Sequence, residues 1–186
     1  TLREDLSREL RHILHTTNMP AIYVTHDQEE AFAIADRLLL LHNGVILQSG
    51  HPHDFYYHPK NVWVAEFFGL GNLVEGTVVS HSPLKVKTPI GQIQASCDGN
   101  LPPIGTITTL LFRPNQASIS SEVNHNIITG KIIDQVFHAG QYRITLSINE
   151  YLSEFNITLP EPAQIGENIQ ISYQPSEVLC LGNGEI

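Results

Sequence analysis

The stretch IGTITTLLFRP, residues 104–114, decides the fold of the second half of the chain, because it recurs as IGENIQISYQP at residues 165–175. In both copies Ile-Gly is followed after six residues by an aromatic residue, and Pro comes two positions later. Upstream, EGTVVS (75–80) and TGKIID (129–134) are similar to each other and predict matching first strands. The repeat therefore predicts two similar β units in tandem, each of about five strands, the size of a small barrel of the OB type.

The residues around this repeat have the pattern of an all-β region. After GLGN (69–72), helical periodicity disappears, and Gly, Pro, Asn and Ser interrupt runs rich in Val, Ile and Thr. The predicted strands are 73–80, 84–88, 91–95, 106–113, 117–120, 127–137, 142–148, 154–159, 168–173 and 178–181.

The first part of the chain mixes helical and strand patterns. Residues 2–14 have the spacing of an amphipathic helix, which Asn18 and Pro20 should end. The apolar run at 21–25 predicts a strand that is covered on both faces. Asp27, three residues before Glu30, predicts a capping box and a helix from about Gln28.

Further along, residues 37–50 predict a hairpin that turns at Asn43-Gly44, and two short helices should follow before Gly69. We therefore divide the chain into a mixed domain at 1–71 and an all-β domain at 72–186. The fold class is α+β overall.

Composition and charge exclude some functions. The net charge is −9 over 186 residues, and neither half has the cluster of Lys and Arg that phosphate contact in nucleic acids requires. No apolar run is long enough to span a membrane. The two cysteines, Cys97 and Cys180, are far apart in sequence and match no metal-binding spacing, which favours a reduced cytoplasmic protein.

The segment YVTHDQEEAFAIADR (23–37) resembles the switch-histidine loop of ABC-transporter ATPases of the importer type. LREDLSREL (2–10), HNGVILQSG (42–50) and HPHDFYYHPKNVWVAEFFGLGN (51–72) resemble the neighbouring segments of the same family, in the same order. LLFRPNQASIS (110–120) resembles the R-P-E strand of the TOBE regulatory domain, with Asn115 and Gln116 in place of an acidic pair. The resemblance implies the C-terminal remnant of a P-loop NTPase α/β core, followed by a tandem OB-like TOBE domain.

The same family has motifs that this sequence lacks. There is no G-x-x-x-x-G-K-[ST] phosphate-binding loop, since the only Gly-Lys pair is Gly130-Lys131, and no L-S-G-G-Q signature. The family places those motifs before the segments found here. We therefore expect the chain to be the C-terminal portion of a longer ATPase subunit, and to be inactive as an ATPase by itself.

The resemblance assigns one catalytic and cofactor-binding residue, His26, which corresponds to the residue that contacts the γ-phosphate of ATP. It implies ATP and Mg²⁺ as cofactors of the intact protein and none for this fragment. A plain polar residue at a helix start is the alternative for His26. We expect Asp27 to be a helix cap, and Gln28 to lie near a dimer partner.

Several histidines raise the possibility of a metal site. His51 and His53 could chelate a transition metal weakly, but no spacing fixes a third ligand, so we predict a solvated loop and helix start and no metal. The other histidines in this part of the chain that could contribute to such a site are His12, His15, His42 and His58.

Four further residues have two interpretations each. Trp63, Phe67 and Phe68 are predicted to be core or interdomain anchors. Arg113 could bind an oxyanion or form a salt bridge within the β domain, and the salt bridge is favoured.

Three functions follow. The first is an ABC importer ATPase subunit, located in the cytoplasm on the inner face of the membrane. Its partners would be a second copy, in a homodimer through the β domain, together with membrane permease subunits and a solute-binding protein. The second is a regulatory or dimerisation module without enzymatic activity. The third is a stand-alone OB-like module that senses an oxyanion or another ligand. None of them involves nucleic acid.

Overall fold

The chain forms two compact units in a computed structural model, one up to Lys60 and the other from Asn61 on. The structure describes residues 2–119, 125–150, 152 and 154–182. The described chain is mostly β, with few helices.

Among its described residues the first unit contains three helices and one hairpin: α1 (Leu2–Thr17), α2 (Gln28–Ile34), β1 (Leu38–His42), β2 (Val45–Gly50) and α3 (Pro52–Tyr57). Helix α1 ends where Asn18 adopts a left-handed φ of 51°. Asn43 and Gly44 have φ angles of 48° and 79°, as a two-residue hairpin turn requires. These elements match the predicted helices and hairpin.

The predicted strand at 21–25 is wrong. This segment has no regular structure, and the side chains of Ile22 and Val24 are 95% and 89% exposed. A strand covered on both faces needs neighbours that pair its backbone and cover its side chains. Within the described part of the first unit the only sheet is the β1–β2 hairpin, and it does not include this segment.

The second unit begins with α4 (Val62–Phe67) and then contains nine strands among its described residues. They are β3 (Asn72–His81), β4 (Leu84–Thr88), β5 (Gly91–Gln94), β6 (Ile107–Phe112), β7 (Asn126–His138), β8 (Gln141–Ser147), β9 (Phe155–Leu159), β10 (Asn168–Tyr173) and β11 (Leu179–Leu181). The predicted strand at 117–120 is not formed as such. A short 3₁₀ turn (Pro114–Gln116) leads into a single bridge from Ser118 to Ser172, and residue 120 lies outside the described residues.

The sequence repeat has the same topology twice. The first four strands of the unit are ordered β6-β3-β4-β5 and the next four are ordered β10-β7-β8-β9, so each repeat places its strands in the order fourth, first, second, third. All of these pairs are antiparallel, which is the Greek-key arrangement.

The two repeats exchange their fifth segments. Strand β11, which follows the second repeat, pairs with β6 of the first, and Ser118, which follows the first repeat, pairs with β10 of the second. Buried side chains of both sheets form one hydrophobic core. The predicted pair of tandem units is therefore a single interlocked unit.

The second repeat differs in one hairpin. Both first strands have a bulge at the same place, between Val78 and Ser80 in β3 and between Ile132 and Asp134 in β7. Strand β3 then turns after His81. Strands β7 and β8 continue for three more pairs, Val136–Arg143, Phe137–Tyr142 and His138–Gln141, which we call the hairpin extension.

Candidate functional site

His26 lies in a bend directly before α2, and its side chain is exposed. The backbone on its C-terminal side is fixed by Asp27, whose carboxylate accepts a hydrogen bond from the Glu30 N–H at 3.1 Å. The Asp27 N–H donates to the hydroxyl of Thr25 at 3.0 Å. Asp27 is therefore the helix cap that the sequence predicts.

The predicted capping box is only half formed, because Glu30 binds elsewhere. Its carboxylate accepts hydrogen bonds from the Thr25 hydroxyl at 2.9 Å and from the Tyr23 hydroxyl at 3.0 Å. The hydrogen bond that the Tyr23 hydroxyl donates to Glu30 is also the main reason that the pKa of Tyr23 is raised. The segments before and after His26 are thus tied together through Thr25 and Glu30.

An ion pair ties this loop to α1. Arg3 Nη1 lies 2.9 Å from Asp27 Oδ2, and both groups are at least partly in contact with solvent, so the pair contributes little stability. It places Asp27, the cap residue next to His26, beside helix α1. The arrangement presents an imidazole to solvent from a backbone that is held on both sides. Gln28, which is half-buried, is the first residue of α2.

Two of the remaining histidines of the first unit, His15 and His51, contact the same residue, Asp36. The His51 ring nitrogen Nδ1 is 2.9 Å from the backbone oxygen of Asp36, and His15 Nε2 is 3.2 Å from the Asp36 carboxylate. His53 stacks near Tyr57, with ring centroids 4.2 Å apart. Among the described residues no three His, Cys, Asp or Glu side chains come close enough together to hold a metal ion.

The aromatic residues of α4 lie within the second unit. Trp63 and Phe67 stack with ring centroids 5.1 Å apart, and Phe67 meets Phe68 edge to face at 5.0 Å. Val64 of the same helix is fully buried. The helix therefore has one buried face and a row of packed aromatic rings.

Arg113 is buried at the end of β6, with only 4% of its surface exposed. Gly71 passes directly beside it: a Cβ on Gly71 would lie 2.2 Å from the Phe112 carbonyl oxygen. The equivalent residue of the second repeat, Gln174, is exposed. A buried cation thus lies in one repeat and not in the other.

Two asparagines that the sequence analysis missed connect the repeats reciprocally. The Asn126 side chain accepts from the Gln94 N–H and donates to the Gln94 carbonyl, both at 2.8 Å. The Asn72 side chain makes the same pair of bonds, both at 2.7 Å, with the backbone of Asn156. Each asparagine begins the first strand of one repeat and pairs with the third strand of the other. In the sequence, each of these asparagines lies four residues before a glycine, and this shared position could have identified them as equivalent residues of the two repeats.

The centre of the core is aromatic. Phe112 and Tyr173, which occupy the same position of the two repeats, meet edge to face with centroids 5.3 Å apart. Phe155 lies 5.5 Å from Phe112 and 6.3 Å from Tyr173. Within the described residues the buried Tyr173 hydroxyl has no hydrogen-bond partner.

No model of a known protein family matches this chain. It is 32% identical over 150 residues to the spermidine/putrescine import ATP-binding protein PotA of Mycoplasma genitalium, a match that covers 80% of this chain and 26% of that protein. It is 28% identical over 177 residues to the PotA proteins of Acetivibrio thermocellus and Borreliella afzelii, covering 95% of this chain and 48% and 49% of theirs.

The chain is homologous to these ATP-binding proteins over most of its length. It spans about a quarter to a half of the length of the relatives. In the described part of the chain, no helix is both long and apolar enough to cross a membrane.

The fold is similar to that of ModG, described as a cytoplasmic molybdate-binding protein whose structure was determined with molybdate bound. The match has a TM-score of 0.50 at 15% identity, and it covers 59% of this chain and 94% of the ModG chain. An OB-like fold for the β region is therefore supported.

Proposed function

We propose that this chain is part of the ATP-binding subunit of an ABC-type importer, which couples ATP hydrolysis to the uptake of a solute. The observation that carries the proposal is the alignment with import ATP-binding proteins over as much as 95% of the chain. Residues 1–71 derive from the ATPase core, and residues 72–186 form a regulatory and dimerisation module of the TOBE type.

In this proposal His26 contacts the γ-phosphate of ATP in the complete subunit. An imidazole held at a fixed backbone position can stabilise charge that develops on the transferred phosphoryl group. The exposed ring of His26, next to the Asp27 cap, has the access that this role needs. These 186 residues contain no phosphate-binding loop, so in this proposal other residues of the complete subunit hold ATP and Mg²⁺.

The partners follow from the same proposal. The complete subunit forms a homodimer through the β unit and lies in the cytoplasm against membrane permease subunits, which receive solute from a solute-binding protein. Because the relatives are named for spermidine and putrescine, polyamines are the first solutes to test.

The test is a chimaera in which the part of the Acetivibrio thermocellus relative that precedes the aligned region is joined before this chain. We expect the chimaera to hydrolyse ATP and His26→Ala to lower its turnover roughly 100-fold or more, while ATP binding is retained. His42→Ala serves as the matched control, because His42 lies in the β1–β2 hairpin and has no proposed role. The 186-residue chain alone should hydrolyse no ATP above background.

Equal turnover of the His26→Ala and parent chimaeras would overturn the role of His26. ATP hydrolysis by the 186-residue chain itself, dependent on His26, would overturn the proposal that the nucleotide site is completed by other residues. Circular dichroism of each variant establishes that the compared proteins are folded.

A second candidate function is oxyanion binding by the β unit alone. The similarity to ModG and the buried Arg113 favour it. Equilibrium dialysis of the chain against molybdate and sulfate tests it, and saturable binding to the isolated chain would favour this function over a purely regulatory module.

A further inference from the structure

The fold brings the two cysteines together although they are far apart in sequence. The Ser96 N–H donates to the Val178 carbonyl at 2.8 Å, and the Cys180 N–H donates to the Ser96 carbonyl at 2.7 Å. These two bonds make a parallel bridge between Ser96 and Leu179. The next residues along the two segments, Cys97 and Cys180, are therefore also opposite each other.

The two thiols lie on the same side of this bridge. Opposite residues of paired strands point to the same face, and both Cys97 and Cys180 pack against the common core of the β unit. Neighbouring strands are about 4.8 Å apart, which is inside the Cα–Cα range of roughly 4.4–6.8 Å that a disulfide spans. The described structure contains both cysteines as free thiols.

The two thiols differ in their access to solvent. Cys180 is only 3% exposed, and its Sγ lies 3.2 Å from the Thr108 hydroxyl. Burial, to which the neighbouring Cys97 adds, raises the pKa of the Cys180 thiol. Cys97 is half-buried, and its Sγ lies 3.6 Å from the Asn100 carbonyl in an exposed turn. An oxidant from solvent therefore meets Cys97 first.

The pair lies where the five-stranded sheet closes on itself. That sheet has the order β11-β6-β3-β4-β5, so β11 and β5 are its two edges. The Ser96–Leu179 bridge joins the segment after β5 to β11, and the Ser96 hydroxyl adds bonds of 3.2 Å to the Ser176 and Val178 carbonyls. This closure is a single bridge, in contrast to the ladders between the other strands.

We propose that Cys97 and Cys180 form a reversible disulfide, made by reaction with hydrogen peroxide, that locks the closure of this sheet. The Cys97 thiol first loses its proton, and its thiolate attacks one peroxide oxygen, so that the O–O bond breaks and a sulfenic acid and hydroxide form. The hydroxide takes up the proton that Cys97 released and becomes the first water. The Cys180 sulfur then attacks the Cys97 sulfur, the S–O bond breaks, and a second water leaves with the Cys180 proton. Two thiols and one peroxide thus give one disulfide and two waters, and a dithiol reverses the step by exchange.

The experiment treats the folded, fully reduced 186-residue chain with hydrogen peroxide and measures intact mass, free thiols and peptide maps. We expect the monomer to lose the mass of two hydrogen atoms, both thiols to disappear, and a Cys97–Cys180 cross-linked peptide to appear. Because the bond closes a long loop, the oxidised chain should melt roughly 5 °C or more above the reduced chain. Dithiothreitol should reverse all of these changes.

Two variants keep the result specific. Cys97→Ser, at the half-buried position, should fold and form no intramolecular disulfide. The double variant Ser96→Cys, Cys97→Ser moves the thiol by one residue to the other face of the strand, and it should also fail to cross-link Cys180. The proposal is overturned if both thiols stay titratable in the folded chain under peroxide that oxidises the unfolded chain. It is equally overturned if only intermolecular disulfides form, or if the double variant cross-links as well as the parent.

Discussion

At the residue scale, Phe112 and Tyr173 occupy the same position of the two repeats and differ by one hydroxyl. Tyr173 is fully buried, and its hydroxyl has no partner within the described structure. A buried hydroxyl without a hydrogen bond costs free energy, whereas Phe already fits the equivalent position. We expect Tyr173→Phe to raise the free energy of unfolding by about 1 kcal/mol in urea denaturation.

Phe112→Tyr is the matched control, because it adds a second buried hydroxyl and should lower stability. A clear loss of stability in Tyr173→Phe would show that the hydroxyl is hydrogen-bonded in solution.

Above about pH 10, the stability difference between the parent chain and Tyr173→Phe should also depend on pH. Burial, with a smaller effect of Glu177, raises the pKa of Tyr173, so the unfolded chain releases this proton before the folded chain does. The parent should therefore lose stability relative to Tyr173→Phe as the pH rises above that value.

The sequence predicts the hydrogen-bonding role of a single residue best where its partner is close along the chain. The Asp27 cap follows from local spacing, and the structure contains it. The capping box predicted for Glu30 is wrong in one half, because the Glu30 carboxylate accepts from the Thr25 and Tyr23 hydroxyls instead of the backbone at the helix start. The role of His26 stays a prediction, and the pattern did not indicate that its ring is exposed. The reciprocal bonds of Asn72 and Asn126 were missed because their partners belong to the other repeat.

At the element scale, each first strand contains a glycine that the neighbouring strand requires. A Cβ on Gly76 would lie 2.6 Å from Val86 Cγ1 and 2.7 Å from the Lys87 carbonyl oxygen. A Cβ on Gly130, the equivalent residue, would lie 2.8 Å from Ile148 Cδ1 and 3.1 Å from Leu146 Cβ. A methyl group at Gly76 meets the backbone of the neighbouring strand and forces the strands apart, whereas a methyl group at Gly130 first displaces the end of the Ile148 side chain.

We expect Gly76→Ala to lower the free energy of unfolding by about 2–3 kcal/mol, as overpacking typically does, because the opposing carbonyl cannot move away. Gly130→Ala should cost less, since its closest neighbour is the end of a flexible side chain. Gly99→Ala is the control, because nothing lies within 4 Å of the added Cβ. Thermal melting of the three variants tests the order. Equal stability of the Gly76 and Gly99 variants would contradict the steric explanation.

Strands were predicted well where one face packs on the shared core, and poorly where a segment depends on pairing with a distant part of the chain. Within the β unit, alternating patterns and turn residues placed most strands within a residue or two of their ends, because one face of each strand packs on the shared core. Residues 21–25 have the apolar composition of a buried strand but no paired neighbour, so composition alone was misleading. Residues 117–119 make one bridge to the other repeat, which a local pattern cannot distinguish from a strand.

At the scale of the whole molecule, the repeat was visible in the sequence and its interlocking was not. Similar segments predicted two similar units. The exchange of fifth segments, the reciprocal asparagines and the meeting of Phe112 with Tyr173 all join residues of different repeats. Such contacts depend on three-dimensional symmetry, which internal similarity suggests but does not specify.

The two repeats differ in the hairpin extension of β7 and β8, because the corresponding hairpin of the first repeat, β3–β4, is three residue pairs shorter. Phe137 is 64% exposed there and contacts Tyr142 with ring centroids 5.1 Å apart. Pairing of β7 with β10 ends at Lys131, so β10 does not cover the β7 edge in the extension. An exposed strand edge with apolar side chains can pair with the same edge of a second copy about a twofold axis.

We therefore expect the proposed homodimer to form through this extension. Sedimentation equilibrium of the 186-residue chain should show a dimer. Phe137→Glu should raise the dissociation constant of this dimer at least about tenfold, because a charge would enter an apolar contact. Ile165→Glu is the matched control: Ile165 is 59% exposed, but it lies in the turn before β10. A parent chain that remains monomeric at high concentration would contradict dimerisation through the β unit. If instead both variants weaken the dimer equally, the added charge acts through general repulsion between two acidic chains. The dimer contact would then lie outside the hairpin extension.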